Sequence, residues 1–141
     1  MNPELPHLLA ARLDEPLPGP VVQSKFQPTP QIGRNYDDPT DDARPAAVLI
    51  LLYPRAGAWH VPLTLRPEHL AAHAGQVSLP GGAVEPGETA AQAAVREFHE
   101  ELGAEAARVE LLGHLSPLFV EASNFLIEPW VGCVGDGPEF E

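Results

Sequence analysis

The chain predicts an α+β fold in which strands surround one central helix in a largely antiparallel or mixed sheet. Three observations carry this. A capped, amphipathic helix signature covers residues 90–102. A continuous apolar run, Ala46 to Tyr53, has strand length and suits burial on both faces. Strand-like segments lie on both sides of the helix, at Trp59 to Arg66, Gln76 to Leu79, Arg108 to Leu115 and Phe125 to Val134.

The elements follow in chain order. Leu5 to Leu13 predicts one or two helical turns. Glu15-Pro16-Leu17-Pro18-Gly19-Pro20 excludes regular helix and central strand. Asn35 to Arg44 holds four Asp and reads as a solvated loop, and nine of the seventeen prolines fall in residues 1–45. Residues 1–45 therefore read as a Pro-rich N-terminal extension wrapped over a domain, and 46–141 as the domain. Pro54-Arg55-Ala56-Gly57 is turn chemistry, so 46–66 predicts a hairpin. Leu70 to His73 suits a single turn. Pro80-Gly81-Gly82 ends the short strand before it and lets backbone approach another group closely. Thr89 is the expected N-cap, with Gln92 completing a capping box. Ala91, Ala94, Val95, Phe98 and Leu102 share one stripe, and Gly103 supplies the stop.

Composition narrows the function. The 141 residues suit one domain. A net charge of −12 with only eight Lys and Arg argues against nucleic acid and against an anionic membrane. The lone Cys133 cannot form an internal disulfide. No apolar run approaches the roughly 20 residues of a membrane span, and Met1-Asn2-Pro3-Glu4 lacks a basic signal-peptide start. The expected location is cytoplasmic.

The helix breaks a local electrostatic rule. Glu97, Glu100 and Glu101 crowd its C-terminal turns, where the helix dipole disfavours carboxylates. Glu97 and Glu101, four apart, repel by roughly 0.2–0.5 kcal/mol. A Glu-rich helical face is ordinarily solvated surface, but a hard divalent cation with oxygen ligands would reverse the sign of the fault. Glu88 and the Gly82 carbonyl can add further oxygens. His99, between these glutamates, reads as an exposed helical histidine. Cys133, Trp59 and Trp130 read as core. Arg66 is a candidate for a substrate phosphate, because a guanidinium fork suits phosphate oxygens.

The full spacing is Gly82, five residues, Glu88, seven residues, then Arg96-Glu97-Phe98-His99-Glu100-Glu101-Leu102-Gly103-Ala104. It resembles the Nudix box, with all seven fixed identities present; a chance match is on the order of 10⁻⁸ per window. The resemblance implies an αβα sandwich with a mixed sheet and a central catalytic helix. It also implies hydrolysis of a nucleoside diphosphate linked to another moiety, with Mg²⁺ or Mn²⁺ held by Glu97, Glu101, Glu100 and Gly82. By the same resemblance Arg96 orients Glu88 or Glu97, and Glu100, or alternatively Glu97, is the catalytic base. Upstream, Leu63-Thr64-Leu65-Arg66, Leu70, His73 and Gly75-Gln76-Val77-Ser78-Leu79-Pro80-Gly81-Gly82 are similar to the signature of the coenzyme A pyrophosphatase branch. Pro67 and Leu79 depart from it, and Pro67 restricts Arg66 to extended conformations. This places Arg66, Gln76 and Gly81 on the substrate side. Leu17-Pro18-Gly19, Gln23, Lys25 and Pro28 resemble the same branch, as do Ser116-Pro117-Leu118 and Ser123-Asn124-Phe125-Leu126.

The implied substrate is a small nucleotide of the coenzyme A class, cleaved to 3′,5′-ADP and 4′-phosphopantetheine. The alternatives are a Nudix enzyme with another nucleotide substrate and a Nudix-fold binding module without catalysis. The family pattern continues past Glu141 with a further strand and helix. An apolar sheet face left without that layer predicts a homodimer at least, or a truncated form of a longer protein.

Overall fold

The structure, a computed structural model, describes residues 1–26, 39–65, 75–103 and 108–135. The predicted turn at Leu70 to His73, the site candidate Arg66, and Ala104 lie outside the described residues, as does the start of the acidic loop, Asn35 to Asp38.

Two helices come first, α1 at Leu5–Leu13 and α2 at Pro20–Gln23. Pro20 opens α2 where its missing N–H costs nothing. Strand β1 runs Arg44–Arg55, β2 Ala58–His60, β3 Thr64–Leu65, β4 Val77–Ser78 and β5 Gly81–Ala83. Helix α3 at Ala90–Leu102 separates these from β6 at Glu110–His114, β7 at Leu118–Val120 and β8 at Phe125–Cys133. The main sheet has the order β2-β1-β8-β6; β5 adds to β1 and β7 to β8. β1 and β8 pair in parallel and every other pair is antiparallel, so the sheet is mixed as expected.

Four expectations need correction. The hairpin after β1 is real, but its second strand stops at His60, and Thr64–Leu65 pairs instead with Val77–Ser78 in a separate two-stranded sheet. The short strand before Pro80 does end, at Ser78, but Gly81 and Gly82 are not only a turn; they belong to strand β5, paired with Val48 and Ala47. Strand β7 was not expected, because Pro117 masks its start and only three residues pair. Trp59 is half-buried rather than core, its indole N–H donating to the Asn2 carbonyl at 2.9 Å.

The core lies between β1 and α3. Ala47, Leu49, Leu51 and Tyr53 alternate along β1 toward the helix, which returns Ala93, Ala94 and Phe98. Ala93 extends the stripe expected from the sequence, while Ala91 and Val95 are only half-buried. Phe98 is 1% exposed, a burial worth roughly 1.5–3 kcal/mol. The Thr89–Gln92 capping box forms in both directions, and Gly103 ends α3 at φ 66°. Trp130, on the same sheet face by its pairing with Leu49, packs against this core.

The opposite sheet face is met by α1. Gly113 pairs with Val131, which alternation turns away from the face of Trp130. A side chain on Gly113 would collide with Leu13 at the end of α1. Helices therefore lie on both faces, and the N-terminal segment supplies one of them.

Candidate active site

The turn Glu85-Pro86-Gly87-Glu88 delivers the first carboxylate. Proline at its second position and Gly87 at φ 92° fit a type II turn, closed by the Glu88 amide on the Glu85 carbonyl at 3.2 Å. The Glu88 carboxylate turns back to accept the Glu85 N–H at 2.7 Å.

Arg96 organises the rest. Its Nη2 and Nε donate to the two Glu88 oxygens at 2.8 and 3.2 Å, a fork-on-fork pair. Its Nη1 donates to Glu97 at 2.9 Å and to Glu100 at 3.3 Å. Nη2 also donates to the Ala83 carbonyl on β5 at 3.1 Å. One guanidinium thus gathers three box carboxylates and ties α3 to β5. Arg96 holds Glu88 below the ordinary carboxylate range, with the Glu85 amide adding to the effect. Glu88 and then Glu97 raise the Arg96 guanidinium in return.

Glu97 lies against Gly82, where any added Cβ would strike its carboxylate. Gly81 faces β1 at equally close range, 2.7 Å from a built Cβ to Val48 Cα. The close approach expected of Pro80-Gly81-Gly82 is therefore to Glu97 and to β1. The ladder also decides which backbone oxygen is free. Leu49 N–H donates to the Pro80 carbonyl and Val84 N–H to the Pro45 carbonyl, so the Ala47–Gly82 pair between them is the hydrogen-bonded kind. The Gly82 carbonyl, expected at the metal, faces the Ala47 amide. The Gly81 carbonyl points away from β1.

Glu88 and Glu97 side chains are 16% and 18% exposed and Glu100 57%. Glu101 and His99 are exposed on the same two turns, and Gln76 is exposed one residue before β4. The donor set of carboxylates and backbone carbonyl suits a hard divalent ion. Among the described residues no three His, Cys, Asp or Glu side chains are drawn into a metal-holding group; Glu97 and Glu100 are turned to Arg96 instead. Two contributors escaped the sequence reading, the Ala83 carbonyl and the Glu85 amide. The Pro86-Gly87 pair was the available signal for the second. Cys133 is buried on β8, and burial pushes its thiol up.

A NUDIX domain model matches residues 43–134. Nudix hydrolase 3 of Caenorhabditis elegans is 43% identical over 90 residues, covering 64% of this chain and 38% of its own length. The uncharacterized Nudix hydrolase NudL of Escherichia fergusonii is 40% identical over 113 residues, covering 79% and 56%. Among solved structures, the Ap4A hydrolase of C. elegans superposes with a TM-score of 0.57 at 26% identity, over 70% of this chain and 75% of that one. RenU, a Nudix hydrolase from M. smegmatis, gives 0.57 at 25%, over 70% and 65%. The chain spans 38% to 56% of the length of these two curated relatives. No described helix is long and apolar enough to cross a membrane. With the box carboxylates gathered on α3 and the matched span running from β1 to β8, this chain belongs to the Nudix family.

Proposed function

We propose that this chain hydrolyses the pyrophosphate bond of a nucleoside diphosphate derivative, with coenzyme A and its thioesters as the substrate class. The observation that carries the hydrolase reading is the Arg96-centred gathering of Glu88, Glu97 and Glu100 beside β5. The coenzyme A choice is supported by the segment Leu63 to Gly82, in which Arg66 would meet a phosphate and Gln76 and Gly81 would lie on the substrate side.

Nudix hydrolases use divalent ions, and Glu97, Glu100, Glu101 and a Gly81 or Gly82 carbonyl would hold Mg²⁺ or Mn²⁺ here. Bound there, the ion supplies neutralisation of phosphate charge and a more acidic water. Arg96 fixes the orientation of Glu88 and Glu97. Glu100, the most exposed carboxylate of Arg96's three, is the candidate base, with Glu97 the alternative. Glu101→Gln is expected to lower turnover by orders of magnitude, leave the fold intact and weaken Mn²⁺ binding. Unchanged Mn²⁺ affinity and turnover would remove Glu101 from the site.

One observation favours a second substrate: the likeness to the C. elegans Ap4A hydrolase. Hydrolysis of coenzyme A and of Ap4A by this chain, with Mg²⁺ or Mn²⁺ and product identification, decides between them. Release of 3′,5′-ADP supports the first reading; cleavage of Ap4A alone supports the second. The proposal includes a cytoplasmic location, which the unpaired Cys133 suits. It also includes a homodimer, supported by half-buried Val48, Ile50 and Leu52 on the sheet face turned away from α3.

A further inference from the structure

We propose that a cavity flanking the candidate site binds the uncharged arm of the substrate, the part beyond the pyrophosphate, through the apolar acyl chain at its end. This rests on the hydrolase reading above and adds where the non-nucleotide portion lodges. The cavity, of about 300 Å³, is bounded by Leu17, Pro20 and Gln23 on one side and Pro117, Phe119 and Leu126 on the other. That is the lower end of the range for small-molecule sites, suited to part of a ligand rather than all of it.

Its walls come from segments almost a hundred residues apart. The Gly19 N–H donates to Ser116 Oγ at 3.1 Å, and the Gln23 amide donates to the Ser116 and Pro117 carbonyls, both at 3.1 Å. These bonds consume polar groups of the wall within the wall. Among the described residues, none that lines the cavity is charged. A phosphate would find no counter-charge there, whereas hydrocarbon leaving water gains about fourfold in affinity per methylene.

The sheet connects the cavity to the carboxylates. Leu126 pairs with Pro45, whose carbonyl accepts the Val84 N–H at 3.0 Å. Val84 follows Ala83, the residue that anchors Arg96. Two strand spacings, about 10 Å, thus separate the cavity wall from β5. Leu126, Pro45 and Val84 share the face that carries α3, since each is in register with residues alternating toward that helix. Pro45 is exposed, so α3 leaves this row open between the two places.

The test is a titration of the ¹⁵N-labelled, metal-free chain with S-hexanoyl-pantetheine, which carries neither phosphate nor nucleotide. Saturable shifts at the Gly19, Phe119 and Leu126 amides are expected, with binding weakened roughly fifteenfold for the butanoyl analogue, which is two methylenes shorter. Leu17→Trp, which fills the cavity, should abolish the shifts; Leu17→Ala, which adds no bulk, should retain them. Unmoved signals at those residues, or equal shifts in Leu17→Trp, overturn the assignment. Affinity independent of chain length does so too. Coenzyme A hydrolysis is measured separately with metal: cleavage without arm binding overturns the cavity alone, and arm binding without coenzyme A cleavage overturns the substrate choice alone.

Discussion

A methyl group on Gly82 would meet the Glu97 carboxylate, whereas on Gly81 it would meet the backbone of β1. Neighbouring glycines are therefore expected to fail differently. Gly81→Ala should destabilise by about 1–3 kcal/mol, because strand backbone cannot move aside. Gly82→Ala should keep more of its melting temperature and lose at least tenfold in turnover, because the carboxylate must turn away. Thermal melts and kcat for both variants check the contrast. Glu88 carries a pH signature. Its folded-state pKa lies below the ordinary 4.5, lowered first by Arg96. Its contribution to stability is complete above 4.5 and disappears as pH falls through the lower folded value. The stability difference between the wild type and Glu88→Gln should accordingly be constant from pH 7 to 5.5 and shrink below about 4.5. Melts at stepped pH measure it, and a difference that persists unchanged at pH 3 would contradict the pairing.

At the level of elements, α3 is the most local structure in the chain and was the most legible. Its cap, stripe and stop lie within fifteen residues, and each acts through contacts along the same helix. Thr89→Ala should cost about 1 kcal/mol through loss of the cap bond, visible as a lowered melting temperature with an unchanged Nudix-type activity ratio between substrates. The short strands were less legible. Nothing in Gly81-Gly82-Ala83 signals a strand, since glycine has no strand preference; β5 exists because β1 is there to pair with it. The same holds for the site. Helical spacing placed Glu97, Glu100 and Glu101 together with Glu88 at the helix entry, and the resemblance to the Nudix box added Arg96 as the residue that orients Glu88 or Glu97. Neither could show that Arg96 would reach the Ala83 carbonyl, nor that the ladder would engage the Gly82 carbonyl and spare that of Gly81.

For the molecule as a whole, Leu13 is the telling residue. It sits on Gly113 across the sheet from α3, so part of the face expected to be bare is covered by the N-terminal segment. Leu13→Ala should cost roughly 2 kcal/mol, the low end for such truncations because Leu13 is half-exposed. It should also increase self-association in sedimentation at micromolar concentration. A variant that melts and sediments like the wild type would mean that α1 is ornamental to the sheet. The Gly19–Ser116 bond has a further consequence, in time rather than in space. Its partners are 97 residues apart, and ribosomes add roughly 5–20 residues per second. The segment that walls the cavity is thus made early and waits about 5–20 s for the strands it docks against. During that interval its apolar residues lack the strands they later pack against, which leaves this stretch open to off-pathway contacts while synthesis continues.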